Sequence, residues 1–153
     1  MNVQTLLLDS VNARWDKYKA ELQTCRAEFS EEAVHDFRVA ARRLLASLDL
    51  LRALMRDAKI KKIRRTLKDQ LDDLDELRDV QVMLADISEN IQEVPPLQPF
   101  EEYLQRREKK LMRAARREIK SLEIDDLSAQ MRKLNKAIAE SQPDELNPLP
   151  AVD

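Results

Sequence analysis

The chain has 153 residues, 37% of them charged, a formal net charge of −2 and no glycine, where about 7% is usual. That length suits one domain with a core of its own, and a chain without glycine cannot build the glycine-rich phosphate turns of P-loop or dinucleotide-binding enzymes, which need a backbone with no Cβ beside the phosphate. The lone Cys25 cannot close an intramolecular disulfide. A reducing, cytoplasmic setting is the expectation, because the N-terminal apolar run ends at Leu8 and nothing approaches the roughly 20 apolar residues of a membrane span.

Taken in chain order, apolar residues recur at spacings of three and four over 3–28, 31–57, 60–92, 98–122 and 126–140. This predicts an all-α protein, an antiparallel bundle of four to five helices. Ser30 followed by Glu31 and Glu32 is an N-cap with acids in the first turn, where they complement the helix dipole. Pro95, Pro96 and Pro99 end the third helix and open a short connection. The bundle is expected over 1–141. Residues 142–153, with Pro143, Pro148 and Pro150, read as a flexible tail.

Charge is distributed in blocks. Residues 31–68 carry eleven Lys or Arg against five acids, residues 69–93 one against nine, and residues 101–120 eight against four. Such blocks bear on partners more than on fold. On the second helix Phe37, Ala40, Ala41, Leu44, Leu48, Leu51 and Met55 share one arc of about 100°, which is the core face. His35, Arg38 and Arg42 form a different stripe, with Arg56 further along it, and an ordinary reading has them solvated or paired with Glu31, Glu32 or Asp49. In the third helix the seam Ile60, Ile63, Leu67, Leu71, Leu74 leads next to Arg78; in the fourth, Phe100, Leu104, Leu111, Ala115 and Leu122 bracket Arg107 and Glu118. An inward arginine needs a partner, such as a core carboxylate, a wet cleft or, for Arg107, Glu118.

The stretch Val34-His35-Asp36-Phe37-Arg38-Val39-Ala40-Ala41-Arg42-Arg43-Leu44 resembles the signature of the conserved-histidine α-helical domain, the CHAD family. Leu67-Lys68, then Leu71, Leu74 and Leu77-Arg78-Asp79-Val80-Gln81-Val82, is similar to that family's second motif, and Arg106-Arg107 with Lys110 and Arg113 to its basic third segment. The resemblance implies a helical module that binds inorganic polyphosphate on a basic surface, often at polyphosphate granules, with no metal and no cofactor. It assigns the ligand to His35, Arg38, Arg42, Arg43, Lys68, Arg78 and Arg107, with Asp79 as an orienting partner. Where the family pattern has a glycine three residues before its Arg-Asp pair, this chain has Asp75. Members commonly carry two helical halves; one is legible here, so a homodimer is expected, with Val39 and Leu50 as an extra apolar strip on the second helix.

Arginine's planar fork suits phosphate oxygens, and a polymer of phosphates suits a row of cations. Two rival readings stand beside this one. A metal-dependent phosphohydrolase would draw on Asp69, Asp72, Asp73, Asp75, Glu76 and Asp79, although these spread over several faces of one helix. A helical interaction scaffold would use its charges for solubility alone. Nucleic acid is disfavoured, since only 4% of residues are aromatic and few rings are left to stack on bases.

Overall fold

A computed structural model describes residues 2–141; the tail expected at 142–153 lies outside the described residues. Five α-helices follow one another, α1 (Val3–Ala27), α2 (Glu31–Leu54), α3 (Ala58–Asn90), α4 (Gln98–Ser121) and α5 (Ile124–Glu140), with a short 3-10 turn, Pro95–Leu97, before α4. No strand occurs among the described residues. The fold is all-α, as the periodicity predicts.

Local chemistry explains the starts of the first three helices. Asn2 accepts from the Thr5 amide at 2.8 Å, Ser30 from Ala33 at 3.1 Å and Asp57 from Lys59 at 2.8 Å, each satisfying an amide that has no partner within its helix. The Asp57 cap corrects the expected end of the second helix. The chain leaves helical geometry at Met55, whose extended backbone caps α2, so the break falls at 55–57 and α3 begins two residues earlier than the apolar pattern suggests.

Helices α1, α2 and α3 pack in sequence, and α4 with α5 together supply the fourth rod: both lie against α1 and α3. The kink between them at Leu122–Glu123 is braced from α1. Arg26 donates from Nε to the Ile119 carbonyl at 2.9 Å and from its terminal nitrogen to that of Leu122, so a cation meets the carbonyl end of α4. The whole core arc of α2 is buried, Met55 included. It faces an aromatic file in which Trp15 stacks on Tyr18 at 5.4 Å and Tyr18 meets Phe37 at 5.1 Å. The Tyr18 hydroxyl donates to Gln70 Oε1 at 2.7 Å, which satisfies the buried phenol of that file.

Helix α3, 33 residues and roughly 50 Å long, outreaches α2. Its distal part pairs with the start of α4 over a small separate core of Leu84, Ile87 and Leu104, flanked by Val80 and Leu97. Two seam assignments are corrected here. The apolar seam of α3 steps from Leu74 to Leu77, which is buried, and Arg78 is left half-buried beside it. Phe100, which pattern alone places in the seam, is 44% exposed and stacks on Tyr103, 53% exposed, while Leu104 and Ile119 take inward positions of α4.

Candidate functional site

Helices α2 and α3 run antiparallel, and three cross-helix ion pairs, on two α3 residues, fix their register. Arg38 Nε donates to Asp75 Oδ1 at 2.7 Å, while Arg42 donates to both oxygens of the same carboxylate at 2.8 Å. Eleven residues further along α2 from Arg38, Asp49 pairs with Arg64, which lies eleven residues before Asp75 on α3. The seam is therefore a ladder, and its register sets His35 level with Arg78. His35 is exposed and Arg78 half-buried, and no carboxylate among the described residues lies within ion-pair distance of either.

Below this level the seam widens into basic grooves. One, at the α2–α3 corner, is lined by Arg52, Arg56, Asp57 and Lys61 and has a volume of about 560 Å³; the next, along α3, is lined by Lys61, Arg64, Arg65 and Lys68 with Asp69 and Asp72. Of these cations only Arg64 is in a side-chain ion pair among the described residues. Of the groove residues, Lys68 alone lies in a matched motif and Arg56 alone on the α2 stripe; the rest escape both readings. Their signal is the block of eleven cations over 31–68, which shows how many charges there are but not which of them share a seam.

Of the seven residues singled out from sequence, the structure sets His35, Arg38, Arg42 and Arg78 along about two turns of the α2–α3 seam, with Lys68 two turns from Asp75 down α3. Arg43 stands about 100° round α2 from Arg42, on the flank that carries Leu50. Arg107 is on the other side of α3: it pairs with Glu76, across the α3–α4 seam, rather than with Glu118. The solvated pairings expected for the α2 stripe are also replaced. Its partner is Asp75, the residue that departs from the family pattern.

The electrostatics of the two seams differ in sign. Partial burial pushes the Asp75 carboxyl up, but the hydrogen bonds and charges of Arg38 and Arg42 outweigh it and hold the group below the usual carboxylate range. Glu118 is raised by burial first, then by the charge of Asp73, with which it shares a hydrogen bond. Cys25 is buried and its thiol is pushed up to about 11, by burial and then by Glu21, which makes it a packing residue rather than a nucleophile. Among the described residues no three His, Cys, Asp or Glu side chains gather where they would hold a metal ion. Nor is any described helix long and apolar enough to cross a membrane.

A cationic seam held by a five-helix bundle defines the class: an all-α module with a row of arginines and lysines along one interhelical seam. The family model for the CHAD domain matches residues 9–152, and the chain belongs to that family. No curated protein and no solved structure matches it.

Proposed function

We propose that this chain is a non-enzymatic module that binds inorganic polyphosphate along the α2–α3 seam. The observation that carries the reading, beside membership of the CHAD family, is the row of cations without a paired carboxylate among the described residues, Arg52, Arg56, Lys61, Arg65 and Lys68, leading up to Arg42 and Arg38. Like charges at helical spacings destabilise a helix, so a row left unpaired is costly unless an anion meets it. Repeated phosphates would supply that anion, with arginine forks taking pairs of oxygens and lysines adding point charge.

In this reading His35, Arg38, Arg42, Lys68 and Arg78 contact the ligand. Arg43 and Arg107 extend the field from neighbouring flanks, while Asp79, exposed and outside ion-pair distance of Arg78, does not hold its guanidinium as the family resemblance implies. The setting is cytoplasmic, at polyphosphate granules. The module acts as a twofold dimer that joins two seams into one longer track, and Leu50, half exposed on α2 beside the half-buried Val39, offers an apolar strip for the contact.

Titration with long-chain polyphosphate at several salt concentrations tests the reading. Binding should weaken steeply with salt. In R38Q/R42Q the slope of log K against log salt should fall by about 1.5 to 2, by analogy with phosphate contacts in nucleic acids. An unchanged slope in a variant that keeps its helical spectrum would remove the seam from the site, and equal affinity for single-stranded DNA would replace polyphosphate with polyanions in general.

A further inference from the structure

We propose that Asp75 is a built-in stand-in for a phosphate group and sets the minimum length of polyanion that the α2–α3 seam accepts. The inference rests on the polyphosphate reading above and adds a specificity-determining residue to it. Asp75 stands on α3, yet its carboxylate takes three hydrogen bonds of 2.7 to 2.8 Å from two arginines one turn apart on α2. Arg38 gives its Nε to one oxygen and Arg42 shares one terminal nitrogen between both, so two guanidinium groups converge on a single anion, as charge-assisted bonds to a phosphate would. The pair Arg38 and Arg42 would repel each other at this spacing, and the carboxylate relieves that repulsion in the empty protein.

A ligand reaching these arginines must exchange with Asp75. For a short anion the exchange brings little: one anionic acceptor replaces another, and the incoming molecule also loses its freedom of motion. A long chain differs because it already lies on Lys61, Arg65 and Lys68, none of which has a paired carboxylate to displace among the described residues. Its remaining phosphates then compete with Asp75 at high local concentration, as the second contact of a linked pair does. Asp75 is one third exposed and can turn to water without crossing the core. The consequence is a threshold. Short polyphosphates meet a neutralised pair of arginines, and only a polymer anchored lower on the seam opens it.

The test compares the wild-type chain with D75N, which keeps the shape and removes the charge, using tripolyphosphate and long-chain polyphosphate at two salt concentrations. In D75N the affinity for tripolyphosphate should rise about tenfold or more, the affinity for the long chain by a smaller factor, and the salt slope for tripolyphosphate should steepen by about one to two. If the wild type binds the long chain and D75N binds tripolyphosphate no better, the stand-in role is overturned while the polyphosphate reading survives. If neither protein binds the long chain, both fall. A measurement on the wild type alone guards against misfolding of the variant: the Asp75 carboxyl carbon resonance should move when long-chain polyphosphate saturates the protein, and a resonance that stays in place refutes the exchange.

Discussion

Two carboxyls on this bundle respond to pH in opposite ways. Asp75, held low by Arg38 and Arg42, binds fewer protons folded than unfolded, so its contribution to stability is present above its unfolded pKa and is lost as pH falls through the folded value. Glu118, raised by burial and by Asp73, binds its proton more tightly when folded, so its contribution is full below its unfolded pKa, about 4.3, and is lost as pH rises through the folded value. E118Q keeps the hydrogen-bonding shape without the ionisation, and should melt higher than the parent at neutral pH while the two converge near pH 4; equal curves at neutral pH would show that Asp73 imposes no cost. Neither pair was legible in the sequence. The α2 cations were, because their spacing on one helix is a local property, but the partner of Arg38 lies on another helix and depends on the interhelical register.

At the scale of elements, most helix boundaries follow from short-range chemistry. The Ser30 cap was readable because acids follow it at once, whereas the Asp57 cap was not, since the apolar spacing puts the break at 58–59, inside the first turn of α3. S30A should cost about 1 kcal/mol and lower the melting temperature by several degrees. Arg78 shows a different limit. A seam advances by three or four residues per turn; the sequence reading took the step of four from Leu74 to Arg78, whereas packing takes the step of three to Leu77. Helix α4 carries its cations outward, with Lys110, Arg113, Arg116 and Arg117 lining one surface groove. Replacing Arg113 by glutamate sets an acid four residues from both Lys109 and Arg117, and R113E should stabilise the protein by about 0.5 to 1 kcal/mol in thermal melts. A drop in melting temperature would mean that Arg113 has a packing role.

At the scale of the whole molecule the all-α class was legible from composition and period, since Ala58–Asn90 holds strong helix formers at spacings of three and four with neither proline nor glycine to break helix α3. Assembly is open to direct measurement: light scattering at micromolar concentration should give twice the chain mass, and L50E should halve it if the Val39 and Leu50 strip makes the contact. A monomer that still binds long-chain polyphosphate would show the module to be complete by itself. The division of the interior into one large cluster and the small group Leu84, Ile87 and Leu104 has a further consequence, for motion in time. Three buried side chains give little cooperativity, so the end of the α3–α4 hairpin should open and close many times while the aromatic file around Tyr18 stays shut. In hydrogen exchange, amides near Ile87 and Leu104 should trade with solvent orders of magnitude sooner than those near Leu44 and Leu67. The protein would then have a firm trunk, on which the cationic seam is laid, and a fraying crown above it.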